Sequence, residues 1–161
     1  MSETKRCSRC KEEKSRTEFH LSRSKPDGLH HRCRPCSRAV NRKWNDENPF
    51  RRLAFNAIKR MRRRGIPFNA DSKELAATLE FLWDCNGGEC ALCGTEIVLS
   101  SSEGPNAADA AHLDALDPSR PYQLGNATFL CAPCNVSKGD LTIETAQRLY
   151  RFLREEVNVD H

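Results

Sequence analysis

The sequence predicts a small α+β fold built from zinc-stabilised modules, and three observations carry that prediction. Eight of the nine cysteines fall into four Cys-x2-Cys pairs, Cys7/Cys10, Cys33/Cys36, Cys90/Cys93 and Cys131/Cys134. Only 38% of the 161 residues are hydrophobic while 30% are charged, too polar a composition for one large core. Apolar residues recur at helical spacing in several stretches, whereas short extended runs end at Leu99, Asp114 and Leu130.

A thiolate pair at this spacing supplies two corners of a Zn2+ tetrahedron, so four pairs imply two structural zinc sites of four thiolates each. A redox Cys-x-x-Cys would occur once, after a strand in a βαβ pattern, and no such pattern is present. Cys85 stands alone and reads as a small buried hydrophobe. The polar start Met1–Thr4 lacks the apolar region of a secretion signal, and no run is long enough to cross a bilayer. A soluble intracellular protein is expected, with thiols kept reduced and available to metal and no membrane partner.

Three regions follow: a four-cysteine zinc module over 1–45, a basic helical region over 46–84, and a second four-cysteine module over 85–161. In the first, Lys25-Pro26-Asp27-Gly28 marks a turn between two knuckles, and zinc should hold a two-stranded loop that packing alone could not. Arg9, Lys11, Arg32, Arg34 and Arg38 are placed to touch phosphate. A helix runs from Ser37 to Asn45 and is interrupted near Pro49, which fits a helix start. Phe50, Leu53, Ala54, Ala57, Ile58 and Met61 then form one helical face, with Arg51, Arg52, Lys59, Arg60, Arg62, Arg63 and Arg64 around them, until Gly65 stops the helix. Asp71 or Ser72 caps the next helix, whose Leu75, Leu79, Leu82 and Trp83 read as core. Glu96–Leu99 reads as a short strand and residues 100–105 as a surface loop. A strand ending at Asp114 places His112 and Asp114 on one face. Cys131 and Cys134 open a short helix that Gly139 ends. A last helix starts near Thr142, repeats Ala146, Leu149, Tyr150, Leu153 and Val157, and should cover the hairpin.

The net charge of +4 conceals a division. Residues 1–64 hold 20 Lys and Arg against 7 Asp and Glu, a net +13, while residues 65–161 hold 6 against 15, a net −9. Polyanions should meet the N-terminal half, because neutralising phosphates releases counterions. The basic helix, with Arg51, Arg52, Lys59, Arg60, Arg62, Arg63 and Arg64, and Lys138 are the expected DNA contacts.

The run Ala111-His112-Leu113-Asp114-Ala115, followed by Asn126 and by Cys131-Ala-Pro-Cys134-Asn135-Val-Ser-Lys138, resembles the HNH, or ββα-metal, nucleases. The likeness is to their zinc-framed subgroup, found in phage endonucleases, endonuclease VII resolvases and some rare-cutting restriction enzymes. It implies a ββα-metal core with covering helices, a phage or bacterial setting, and endonucleolytic hydrolysis of double-stranded DNA. By position, Asp114 and Asn135 would bind one catalytic Mg2+ or Mn2+, Asn126 would orient, and Lys138 would be the family's basic residue. His112 would sit beside the metal in a structural or assisting role.

The family places its general base, His or Arg, where this chain has Ala115. A methyl group cannot take a proton from water. The resemblance then implies a chain that binds metal and DNA and cuts poorly, whether 115 was substituted, the chain is a natural binder, or His112 has taken over. Two symmetric subunits, a homodimer, would suit double-strand cleavage at a palindrome. The reading from another class is a non-catalytic zinc module that binds DNA or RNA for regulation.

Overall fold

Clustered cysteine thiols organise both halves of the chain. The computed structural model describes residues 3–100, 103–104 and 106–156, and divides into two units, Met1–Asn48 and Pro49–His161. The expectations placed on Met1, Ser2, Ser101, Ser102, Pro105 and Val157 lie outside the described residues.

In the first unit β1 (Thr4–Arg6) pairs antiparallel with β2 (Glu13–Ser15), and β3 (Phe19–Leu21) pairs with β4 (Leu29–Cys33). α1 (Arg34–Glu47) begins directly on Cys33, with Pro35 in its first turn, where a missing N–H costs nothing. The buried core is Cys7, Phe19, Leu29 and Cys33, with Cys10 and Cys36 packed on it. Two conventional hydrophobes cannot offset the ordering of nearly fifty residues, so this unit depends on what its thiols bind.

The second unit has a larger core. α2 (Pro49–Arg64) buries Ala54, Ala57 and Met61 against Leu75 and Leu79 of α3 (Ser72–Asn86). α2 ends as the sequence predicts: Gly65 takes φ +69° and the Ile66 N–H returns to the Met61 carbonyl at 3.0 Å. Asp71 is the cap of α3, its Oδ1 accepting from the N–H groups of Lys73 and Glu74 at 2.6 and 2.9 Å, while Glu74 accepts from the Asp71 N–H at 3.0 Å. This reciprocal box fixes where α3 starts. Trp83 of α3 then meets Phe129 edge to face at 5.1 Å, seating the helix on the hairpin.

That hairpin is β5 (His112–Ala115) and β6 (Ala127–Leu130), antiparallel with His112 opposite Leu130 and Ala115 opposite Ala127. α4 (Ala132–Lys138) packs on β5, and α5 (Ile143–Glu156) follows. The basic helix therefore shares one core with the hairpin, through Ala54, Ala57 and Met61.

Three local expectations differ from what is observed. Glu96–Leu99 makes isolated bridges to two different segments, Glu89 to Glu96 antiparallel and Val98 to Ala110 parallel, so no ladder extends. Cys85 is exposed, since it falls on the outer face of α3. α5 does not bury its apolar face: Ile143, Leu149, Tyr150, Phe152 and Leu153 are each between 46% and 64% exposed. No helix among the described residues is long and apolar enough to cross a membrane.

Candidate metal centres and hydrolytic site

The four pairs of cysteines gather into two clusters, Cys7/Cys10/Cys33/Cys36 and Cys90/Cys93/Cys131/Cys134, with all thiol sulfurs of a cluster within 4.8 Å of one another. A Zn–S bond of about 2.3 Å gives a tetrahedral edge of about 3.8 Å. Cys93 Sγ and Cys131 Sγ are 3.8 Å apart. Each cluster could hold one zinc ion.

Both clusters follow one plan. The first pair lies in a tight turn closed by the Cys7 carbonyl accepting from the Lys11 N–H at 3.0 Å, and by the Cys90 carbonyl accepting from the Gly94 N–H at 2.8 Å. Lys11 and Gly94, each just after the second Cys, have φ of 62° and 73°. The second pair opens a helix, with Cys33 and Cys131 at the N-cap and Pro35 and Pro133 following. Burial pushes the Cys7 thiol up, but N–H groups of Cys33, Cys10 and Arg9 outweigh it and hold Cys7 at about 5. The Thr95 hydroxyl and N–H lower Cys93 to about 6. Each turn thus favours a thiolate at one or more of its cysteines, Cys7 in the first and Cys93 in the second.

The second cluster sets the chemistry of the hairpin, because Cys131 and Cys134 fix α4 against β5. His112 and Asp114 face α4, two residues apart on the strand. Asn135 and Lys138 face back, three apart on the helix. These steps are about 6.6 Å along a strand and about 4.5 Å along a helix, close enough to form two rungs. In one, Asn135 Nδ2 lies 3.3 Å from His112 Nδ1. In the other, Lys138 Nζ lies 2.8 Å from Asp114 Oδ2 and donates to the Ala115 carbonyl at 2.9 Å. The ammonium is off the hydrogen-bonding direction of Asp114 Oδ2, which is enclosed and takes no directional bond.

Two expected site residues lie elsewhere. The two-residue period that turns His112 and Asp114 to α4 turns Leu113 and Ala115 into the core, and Ala115 is 5% exposed. A side chain at 115 points away from the site. Asn126, 2% exposed, has its carboxamide committed to the loop: Oδ1 accepts from the Asp117 N–H at 2.8 Å, and Nδ2 donates to the carbonyls of Pro121 at 2.9 Å, Asp117 at 3.1 Å and Arg120 at 3.3 Å. It shapes the connection between β5 and β6.

The expected DNA contacts also divide. Arg52 Nη2 donates to the Leu99 carbonyl at 2.9 Å, and Arg60 Nη2 donates to the Leu113 carbonyl at 3.3 Å while its guanidinium lies 5.0 Å over Tyr122. Arg64 pairs with Asp140 at 3.0 Å, and Arg51 stacks over Phe55 at 5.9 Å. Lys59, Arg62 and Arg63 face solvent along α2.

No family model matches the chain, and no curated protein does. Among solved structures it is similar to the rare-cutting HNH restriction endonuclease PacI, at 18% identity over 94% of both chains, with a TM-score of 0.39.

Proposed function

We propose that the chain is a metal-dependent endonuclease that hydrolyses phosphodiester bonds in duplex DNA, with His112, Asp114, Asn135 and Lys138 as its site. The observation that carries this is the pair of rungs on a cysteine-framed helix and strand: a histidine against an amide, and an enclosed carboxylate against a lysine.

The roles follow from the donor chemistry. His112 supplies the imidazole on this face of β5. Asn135 Nδ2 is within hydrogen-bond reach of His112 Nδ1, so the amide's orientation and the ring's tautomer are linked: a donating Nδ2 requires a bare Nδ1, and an accepting Oδ1 requires Nδ1–H. His112 would exchange a proton with the attacking water or the departing oxygen. Asp114 and the Asn135 carbonyl are hard oxygen donors, and the enclosed Asp114 Oδ2 suits a hard cation. A Mg2+ or Mn2+ bound there would supply Lewis-acid stabilisation of the charge built up on phosphorus. Lys138, on a flexible four-carbon stem, can move its ammonium from Asp114 to the phosphate.

The test uses zinc-loaded full-length protein and supercoiled plasmid with Mg2+ or Mn2+. His112→Ala should slow nicking by about 10²- to 10⁴-fold, the usual contribution of a proton-transfer group. Asp114→Asn should abolish it with DNA binding kept. Unchanged nicking in both variants would overturn the assignment.

The Lys138–Asp114 pair favours one rival, a non-catalytic zinc module for DNA or RNA in which the ammonium permanently occupies the carboxylate. It predicts no divalent-metal affinity beyond zinc and no change of that affinity in Asp114→Ala.

A further inference from the structure

The face of α2 toward the hairpin carries Arg52, Asn56 and Arg60 at four-residue steps, and these line a groove of about 420 Å3 that ends at His112. Its other wall, largely apolar, is formed by Leu99, Ser100, Gly104, Ala110, Ala111 and Leu113. Two guanidiniums face the groove and, among the described residues, no carboxylate lines it, although residues 65–161 carry a net charge of −9. Both arginines are held in place, one by the Leu99 carbonyl and the other by the Leu113 carbonyl, at 2.9 and 3.3 Å. Each anchoring bond uses one of five N–H donors, leaving others for a ligand. Eight residues of helix separate the two by about 12 Å, a span that takes in more than one phosphate of a single strand.

We infer that this groove holds the strand of nucleic acid next to the reacting phosphate, with Arg52 and Arg60 on its backbone phosphates and Asn56 between them on a sugar or base edge. The inference rests on the nuclease reading for the identity of the strand, and adds its path and a positioning residue, Asn56. Asn56 is exposed and lies outside the buried core. Anchored arginines lose little freedom on binding, so they select a geometry as well as a charge. The apolar wall offers sugar and base faces a dry surface, which a free anion would not use.

The experiment measures anisotropy of a labelled oligonucleotide duplex on the zinc-loaded full chain, with Ca2+ in place of Mg2+. Asn56→Asp puts a carboxylate between the arginines, and Asn56→Lys an ammonium. A unit charge a few ångströms from a phosphate changes affinity by about threefold to tenfold at partly screened sites. Asn56→Asp should weaken binding by that factor and Asn56→Lys should tighten it. Gln147→Asp, exposed on α5, should do neither, and Trp83 fluorescence in a Trp44→Phe background checks that all three fold. Asn56→Asp binding like Gln147→Asp would overturn the groove assignment. So would inorganic phosphate displacing the duplex as well as an equal concentration of oligonucleotide phosphate does, since the groove would then be a simple anion site. Because binding is read without cleavage, the two proposals fail separately: an Asn56 effect with no nicking by the wild-type chain keeps the groove and removes the nuclease.

Discussion

Replacing Asn126 by Ala removes an acceptor that holds the Asp117 N–H at 2.8 Å and a donor that holds the Pro121 carbonyl at 2.9 Å, together with two longer contacts. Each of the two short bonds contributes about 1 kcal/mol net, and stranding the Asp117 N–H adds at least about 1 kcal/mol, for a loss of about 3 kcal/mol. That is a large part of the stability of a domain this size, about 5–15 kcal/mol. With a urea slope of about 1.5 kcal/mol/M, the unfolding midpoint should fall by about 2 M. The assay is urea unfolding of the zinc-loaded protein in a Trp44→Phe background, so that Trp83, in contact with Phe129, reports on the hairpin. Asn126→Asp keeps the acceptor but sets a carboxylate against three carbonyl oxygens. It should cost at least as much at pH 7 and recover as acid protonates the new carboxyl. A midpoint shift under about 0.5 M in Asn126→Ala, combined with lost plasmid nicking, would refute this reasoning and return Asn126 to the reaction.

Ala115→His should destabilise by about 1–3 kcal/mol without raising nicking, because the added ring enters a packed core; a thermal melt beside the plasmid assay checks both. Zinc analysis should give two equivalents per chain, Cys33→Ser and Cys131→Ser should each remove one, and only Cys131→Ser should perturb Trp83 fluorescence. Asp71 has its carboxyl held below the ordinary range by the N–H groups of Glu74 and Lys73. Its contribution is therefore present above the unfolded carboxyl value near 4 and is lost as pH falls through the folded one. The melting-temperature gap between wild type and Asp71→Ala should be full at pH 7 and close in stronger acid; a gap constant down to pH 2 would contradict the cap.

Much of the architecture could be read directly from local signals. The Cys-x2-Cys spacing identified both clusters, Gly65 marked the end of α2, and Asp71 with Glu74 carried a capping box. The shared plan of the clusters was also written in the chain, since Cys33-Arg-Pro-Cys36 and Cys131-Ala-Pro-Cys134 both read as Pro in a helical first turn. Alternation along β5 placed His112 with Asp114, and the same period already implied that Ala115 faces the other way. That implication yielded to the family pattern, which assigns position 115 a role by order along the chain.

What the sequence determined by itself was the four cysteine pairs and the end of α2 and start of α3, because these depend on residues within a few positions of one another. Tertiary structure decided which polar groups are free to act. Asn126 is consumed by a loop five to nine residues away, Arg52 and Arg60 are tied to carbonyls 47 and 53 positions on, and Lys138 meets Asp114 across a strand and a helix. Hydrogen-bonding capacity is finite, and its distribution among distant partners follows from packing, which no local pattern encodes.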